Sequence, residues 1–408
     1  SGLQMTDDIL LKKSQDYLRI LCSDIKERCV GSDGNRQATS RFEEELSSNG
    51  WKTEMPEFDA VDWVQNGATL KSGEESYDVL VGPYSLGFHG EAEMVSASTI
   101  GELSEIDAMD RILFLYGDIA KEQLMPKNFV FYNPEEHRRI VSLLENSGAK
   151  AIISATGKNS AVAGGVYPFP LIEDGDFDIP SVYMTEEEGL KLMKQTGKKV
   201  SLESFSTRIP GKGYNVIGRK GEETAPRIAV TAHIDAKKGT PGAIDNATGV
   251  VVLLLLSDLL RNYNGNKLIE IIAFNGEDYY AVPGQMNYIE ANGNSLSNIL
   301  LNINIDGAGY REGPSSFSLF DLPPEILGHT RNVIGHFEGL TEGAQWVQGD
   351  HSIFIQYGVP AIAVSSGWFI DNMADQDVTH TPKDNIGIVD CTKIVEIARA
   401  LNNLIRLI

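Results

Sequence analysis

The second half of the chain alternates between continuous apolar runs and amphipathic segments. Apolar runs at 227–231, 268–274, 299–305 and 361–364 predict strands, and a longer apolar stretch at 247–260 predicts a buried helix. Strands that are apolar at nearly every position are typical of sheets covered by helices on both faces. We therefore expect an α/β fold, with a three-layer α/β/α domain around a mixed, mainly parallel sheet.

Amphipathic segments flank these strands at both ends of the chain. Residues 9–21 and 36–46 carry apolar side chains at helical spacing, as do residues 325–337 and 352–357 before the last predicted strand. Asp390 is in position to cap a final helix. These helices would form the outer layers of the expected domain.

The segment 77–200 has a different pattern, with short apolar runs, glycine and proline punctuation and acidic clusters. It contains predicted helices near 135–146 and 185–195 and no cluster of residues suited to catalysis. We expect a smaller, β-rich α/β domain inserted at 77–200, with 1–76 and 201–408 forming the first domain. A chain of 408 residues is long enough for about two domains.

The charge balance limits the partners. The chain has 35 basic and 57 acidic residues, a net charge of −22, and such a surface repels phosphate groups. The longest apolar run, 250–256, is far shorter than the ~20 residues that span a bilayer. We expect no nucleic-acid partner and no membrane partner, and the sequence leaves the oligomeric state open.

The cysteines and the first residues of the chain indicate the cellular compartment. Three cysteines, none in a CxxC motif, argue against a disulfide framework and for a reducing compartment. The first residues lack a basic segment followed by an apolar one, so a cytoplasmic protein is expected. A signal peptide removed ahead of Ser1 would instead make the protein secreted or periplasmic.

Residues that can bind metal or move protons follow the predicted strands directly. Open α/β sheets bind their ligands at the carboxyl ends of the strands, so we expect these side chains to meet there. In chain order they are His233, Asp235, Asp245, Glu277, Asp278, Asp306 and His380.

Two histidines and several carboxylates form a nitrogen and oxygen ligand set that suits Zn²⁺, with Mn²⁺ or Co²⁺ as substitutes. A carboxylate shared by two ions makes a pair about 3.5–4 Å apart, where bound water becomes acidic enough to attack as hydroxide. Glu277 and Asp278 point in different directions, so one could bind metal while the other acts as a base. Asp235 lies on the same strand face as His233 and could orient its imidazole.

The motifs HID, GAIDNATGV, NGED, NINID and HTPKD, in this order, resemble the M28 family of zinc exopeptidases over most of 214–408. The opening RCVGS at 28–32, followed by Gly34 and Asn35, also resembles that family. Residues 77–200 are similar to the protease-associated domain that many members carry as an insertion. The resemblance implies a metal-dependent exopeptidase with two Zn²⁺ per chain.

The resemblance also implies local features of the site and a role for each site residue. The peptide bond between Asp245 and Asn246 would be cis. The family usually has two glutamates where this chain has Glu277 and Asp278. The implied zinc ligands are His233 and Asp306 for one ion, Asp278 and His380 for the other, and Asp245 for both, with Glu277 as the general base.

Three further residues are candidates for substrate contact. Asp350 and His351 resemble an Asp-His pair at the same place in the family, and hydrogen bonding or helix capping is their alternative role. Trp368 lies in a loop between site-bearing elements, and a place in the core is its alternative. Trp346 and Phe369 nearby favour an apolar first residue in the substrate.

The most favoured function is an aminopeptidase that releases N-terminal residues from peptides, because the clustered carboxylates would attract an α-ammonium group. Alternatives are a carboxypeptidase or dipeptidase, a glutaminyl cyclase on the same scaffold, or a peptide-binding relative without catalysis. Only Arg311 lies close to a ligand loop, whereas recognition of two substrate carboxylates would favour several arginines. Glu277 argues against the non-catalytic alternative, and the chain has neither a Gly-x-Ser-x-Gly motif nor a phosphate-binding loop.

Overall fold

A computed structural model describes residues 5–129, 132–158, 166–278 and 282–408. Among these residues, no helix has the length and apolar character needed to cross a membrane. The helices are α1 (Asp7–Arg19), α2 (Asp33–Ser48), α3 (Ile100–Glu105), α4 (Glu135–Glu145), α5 (Glu186–Leu192), α6 (Thr248–Leu259), α7 (Pro283–Asn292), α8 (Pro324–His336), α9 (His351–Gln356), α10 (Gly367–Asp371) and α11 (Cys391–Leu407). The strands are β1 (Lys52–Glu54), β2 (Glu57–Ser72), β3 (Glu75–Tyr77), β4 (Leu80–Val81), β5 (Phe88–Ala97), β6 (Ile112–Leu115), β7 (Ala151–Thr156), β8 (Ser181–Thr185), β9 (Lys199–Tyr214), β10 (Val216–Gly221), β11 (Arg227–His233), β12 (Leu268–Phe274), β13 (Ile299–Ile305), β14 (Ser315–Phe320), β15 (Leu340–Glu342) and β16 (Ala361–Ser366).

The first sheet has eight strands in the order β1-β10-β12-β11-β13-β16-β14-β15. Its four central strands, β12-β11-β13-β16, are parallel, and β10 and β14 add to them in the antiparallel sense. Helices α1, α2, α6, α8 and α11 pack on one face, while α7 and α9 pack on the other. The predicted three-layer α/β/α architecture with a mixed sheet is confirmed.

Helix α6 lies at the centre of the larger layer. Its residues from 248 to 258 are all buried, which agrees with a segment that is apolar on every side. It packs against α11 and against the back of β11. The helix therefore fixes the loop that precedes it, which carries Asp245.

Strand β14 and helix α7 are among the elements of this domain that the sequence pattern did not predict. Strand β14 reads SSFSLF, and its serines interrupt the apolar run that marks the other central strands, yet nearly all of its residues are buried. Helix α7 begins with Pro283 and has no apolar stripe, so helical spacing gives no signal there.

The second sheet also has eight strands, in the order β3-β2-β9-β5-β6-β7-β8-β4. Strands β5 to β8 pair in parallel, while the long strands β2 and β9 form an antiparallel ladder from Glu57↔Tyr214 to Lys71↔Ser201. This sheet therefore extends beyond the predicted limits of 77 and 200 on both sides. The division of the chain into two domains at those limits stays a proposal.

A buried arginine holds the loop that follows β11. Arg28 is 2% exposed, and its guanidinium donates to the backbone oxygens of Leu21, Ile234, Pro241 and Gly242 at 2.7–3.1 Å. A guanidinium offers several donors in a fixed plane, so one side chain can satisfy carbonyl groups from both ends of a loop. The family-like opening of the chain thus positions the loop between His233 and Asp245.

A second buried contact joins the amino-terminal region to the end of β12. The side-chain amides of Asn35 and Asn275 donate to each other, both at 2.8 Å. Asn275 lies two residues before Glu277 and also donates to the backbone oxygen of Tyr214. Helix α2 therefore fixes the start of the loop that carries Glu277 and Asp278.

Candidate metal centre

Three neighbouring parallel strands bring the candidate ligands to one edge of the first sheet. Strand β11 ends at His233, β12 is followed by Glu277 and Asp278, and β13 is followed directly by Asp306. Because β11 pairs in parallel with both β12 and β13, the carboxyl ends of all three meet at that edge. His380 enters from the loop before α11.

His233 faces three carboxylates. Its Nε2 atom lies 3.0 Å from Asp245 Oδ1, 3.3 Å from Glu277 Oε2 and 3.5 Å from Asp306 Oδ2. The ring is fully buried, and this Nε2 has no hydrogen-bond partner among the described residues. An imidazole nitrogen that is buried among carboxylate oxygens fits a shared cation.

His380 occupies the other side of Asp245. Its Nε2 atom lies 2.9 Å from Asp245 Oδ2 and 3.3 Å from Asp278 Oδ1. The carboxylate of Asp245 thus lies between two imidazoles and presents one oxygen to each. The structure brings all five predicted ligands together, and Asp245 has the place of a bridging group.

A backbone contact fixes the protonation of His233. Its Nδ1 atom lies 3.0 Å from the backbone oxygen of Asp235, and a carbonyl oxygen can only accept a hydrogen bond. Nδ1 therefore carries a proton and donates it, so Nε2, which faces the carboxylates, is the ring nitrogen placed to bind a metal.

The Asp235 side chain has a further contact that the sequence did not reveal. One carboxylate oxygen is 3.4 Å from His233 Nδ1, in line with the predicted orienting role. The same carboxylate accepts the backbone N–H groups of Glu277 and Asp278 at 3.0 and 2.9 Å. Asp235 therefore positions the candidate base and a candidate ligand as well as the imidazole.

The charges in this cluster are unbalanced without a cation. Burial and the neighbouring carboxylates raise the pKa of Glu277, and burial with repulsion from nearby aspartates raises the pKa of Asp306 to about 6. Burial alone would lower the pKa of His380, but Asp278 and Asp245 raise it to about 10. Ligand atoms of four residues lie within 4.8 Å of one another: His233, Asp245, Glu277 and Asp278. The donor set fits divalent cations.

The loop before α6 holds Asp245 through its backbone. The Asp384 carboxylate accepts the N–H groups of Ile244 and Asp245 at 2.7 and 3.0 Å, a role that sequence reasoning did not assign. The side chain of Asn246 donates to the backbone oxygen of Ile305 at 2.8 Å. The peptide bond between Asp245 and Asn246 is cis, so this expectation is confirmed.

The cluster opens into a cleft of about 770 Å³, and Asp350 is one of its lining residues. Asp350 is 2% exposed and accepts a hydrogen bond from the Gln285 side chain, while its Oδ2 atom has no partner among the described residues. Burial raises the pKa of Asp350 to about 7. Sequence reasoning missed Gln285, because helix α7 has no apolar stripe that would identify it.

The other two candidates for substrate contact are not among the residues that line this cleft. His351 is fully buried, and its ring nitrogens contact the backbone oxygen of Trp346 at 2.7 Å and the side chain of Asn304 at 3.3 Å. Burial lowers the pKa of His351 to about 4, so the ring is neutral. Trp368 packs on Tyr310, and its neighbour Phe369 faces the cleft instead.

Residues 215–405 match the sequence profile described as peptidase family M28. The resemblance of these residues to the M28 family is thereby confirmed. Aminopeptidase YwaD of Bacillus subtilis (strain 168) is 30% identical over 169 residues, which cover 40% of this chain and 35% of the relative. The matched part of the chain thus spans about a third of the length of this curated relative.

Solved structures extend the likeness beyond the residues that match this profile. An aminopeptidase from Aneurinibacillus sp. strain AM-1 superposes with a TM-score of 0.75 at 19% identity, over 97% of this chain and 93% of that one. A zinc aminopeptidase from Bacillus subtilis has a TM-score of 0.72 at 20% identity, over 97% and 94%. A glutaminyl cyclase from Fimbriiglobus ruber has a TM-score of 0.51 at 11% identity, over 100% and 97%. The fold that these proteins share includes both sheets.

The two hydrogen bonds accepted by Asp384 predict that it controls metal affinity without binding metal. We expect Asp384→Asn to lower zinc affinity by roughly 10–100-fold, the usual effect of removing a group that orients a ligand. Competition with a chromophoric chelator measures this. Asp390→Asn is a matched control, because Asp390 caps α11 away from the cluster. Equal zinc affinities for Asp384→Asn and the wild type would contradict the assignment.

Proposed function

We propose that this protein is a zinc-dependent aminopeptidase that releases N-terminal residues from peptides. The proposal rests on the position of Asp245 between His233 and His380. Further carboxylates line the same cleft. The match to the M28 profile and the aminopeptidases similar in sequence or fold support the same function.

The residues present divide into two sets of metal ligands around Asp245. His233 and Asp306 would hold one zinc ion, and Asp278 and His380 would hold the other, with Mn²⁺ or Co²⁺ as substitutes. Bound zinc would polarise the scissile carbonyl and make water acidic enough to attack it near neutral pH.

Glu277 would move the proton. Its carboxylate would accept a proton from the attacking water and deliver it to the leaving amine nitrogen. Burial raises the pKa of Glu277, which brings a carboxylate closer to the range useful for proton transfer. The backbone hydrogen bond from Glu277 to Asp235 holds the base in place during this transfer.

The charges that line the cleft favour a substrate with a free amine. Among its described lining residues, Lys237 is the single lysine or arginine, and it forms an ion pair with Glu173. A carboxypeptidase would need a cation to bind the substrate's carboxylate, whereas Arg311 is exposed and outside this lining. The aminopeptidase therefore ranks above the carboxypeptidase.

The cleft walls favour a peptide with an apolar first residue. Trp346 and Phe369 line one side, and Leu124 and Met125 of the second-sheet region line the other. A cleft bounded by this second region would admit short peptides more readily than folded proteins. We therefore propose that the region 77–200 controls access and recognition, without contributing metal ligands.

The base assignment predicts a separation of zinc binding from turnover. Glu277→Gln should keep bound zinc and reduce kcat by roughly 10²–10⁴-fold, the usual contribution of a positioned acid–base group. Elemental analysis and steady-state kinetics on the same preparation measure both quantities. Because Glu277 Oε2 lies 3.3 Å from His233 Nε2, loss of zinc in this variant would instead make Glu277 a ligand.

The aminopeptidase proposal predicts a strict requirement for a free amine. A leucyl peptide amide should be cleaved after its first residue, the N-acetylated peptide should resist cleavage, and the free acid should react at a rate close to that of the amide. Mass spectrometry of the products identifies the bond. Faster cleavage of the acetylated peptide would contradict the proposal, and cyclisation of a peptide that begins with glutamine would indicate the glutaminyl cyclase.

A further inference from the structure

A buried ion pair crosses the bottom of the cleft between the two sheets. Lys237 Nζ lies 2.7 Å from Glu173 Oε1, and the two side chains are 15% and 6% exposed. Lys237 follows β11, whereas Glu173 lies between β7 and β8 of the second sheet. The Gln123 side chain donates to the other oxygen of Glu173. One carboxylate therefore contacts both sides of the cleft.

Glu173 is hydrogen-bonded to one wall of the cleft, and further hydrogen bonds hold this wall in place. We define the insert wall as Gln123, Leu124, Met125, Pro126 and Phe129, which all line the cleft. The backbone N–H of Leu124 donates to the Leu171 oxygen at 2.9 Å, and that of Lys127 donates to the Asp174 carboxylate at 2.9 Å.

Two further features make the wall a rigid unit. The backbone N–H of Met125 donates to Nδ1 of the buried His137 at 3.2 Å. Leu124 and Leu171 belong to the same apolar core. Hydrogen bonds and apolar contacts therefore join the insert wall to residues 171–174, which include Glu173.

The other end of the ion pair is attached to the metal centre. Lys237 comes four residues after His233 and two after Asp235, in the loop that Arg28 holds from behind. The negative charges of Glu173, Asp278 and Asp245 favour the charged form of Lys237 despite its burial. The ion pair therefore links the insert wall to the loop that begins after His233.

We propose that Glu173 is a specificity-determining residue which, through Lys237, holds the insert wall at the distance that suits a large apolar first residue. This inference rests on the proposed aminopeptidase function and deepens it. Three of the facing residues, Leu124, Met125 and Pro126, offer apolar surface to such a side chain. We expect a small first residue to make fewer contacts with the wall, so that its binding should depend less on the position of the wall.

The neighbouring lysine supplies a matched control. Lys238 forms an ion pair with Asp62 at 2.9 Å, but neither residue lines the cleft. Asp62 lies in β2, so this pair also joins the same loop to the second sheet. Asp62→Asn therefore tests a loss of attachment outside the cleft.

The experiment compares zinc-loaded wild type, Glu173→Gln and Asp62→Asn on leucyl and alanyl peptide amides. Glu173→Gln should raise KM for the leucyl substrate by about tenfold, the scale on which contacts in an apolar pocket discriminate substrates. Its KM for the alanyl substrate, its kcat and its zinc content should stay close to wild type. Asp62→Asn should keep the wild-type ratio of leucyl to alanyl kcat/KM.

A double variant tests whether the two charges act as one unit. Lys237→Gln should reproduce the change in the leucyl-to-alanyl ratio, and Glu173→Gln with Lys237→Gln should change it no further than either single variant. Glu173→Asp keeps the charge with a shorter side chain, so it should give a smaller shift and remains informative if Glu173→Gln folds poorly.

Three results would overturn the inference. They are an unchanged ratio in both Glu173 variants, an equal loss on both substrates, and additive effects in the double variant. Wild-type protein that cleaves none of these peptides would overturn the proposed function instead, and this inference with it.

Discussion

Mutual repulsion of buried carboxylates is the constraint around which this site is built. Asp245 lies between His233 and His380, and further acidic side chains approach the same space within about one hydrogen-bond length of the imidazoles. Such a cluster is stable only with compensating positive charge. Two supporting aspartates outside the ligand set hold the backbone of the ligand loops. The Asp384 carboxylate accepts the backbone N–H groups of Ile244 and Asp245. The Asp235 carboxylate accepts those of Glu277 and Asp278.

The second sheet is coupled to this centre through one short segment. Lys237 and Lys238 are adjacent, yet they pair with carboxylates on two different parts of the second-sheet region. The two lysines lie at a turn, and Lys237 lines the cleft whereas Lys238 does not. This arrangement is the physical basis of the proposed role of that region in substrate selection.

The apolar strands and the residues that follow them were predicted correctly, because both depend on short stretches of sequence. The bounds of β12 and β13 agree with the predicted strands because their apolar runs are continuous, and the candidate ligands follow such strands directly. Contacts between distant segments left no local pattern. Glu173 and Lys237 are 64 residues apart, and neither their types nor their neighbours indicate a pair. Likewise, β2 and β9 extend the second sheet past the predicted domain limits, because both strands continue beyond the change in composition.

The central claim is that the Asp245 carboxylate is shared by two metal ions. A crystal structure of the zinc-loaded protein, with anomalous data collected at the zinc absorption edge, tests this most directly. We expect two peaks about 3.5–4 Å apart, one beside His233 and one beside His380, with Asp245 between them. A single peak, or zinc bound at the separate cluster of Glu27, Cys29 and Asp62, would contradict it.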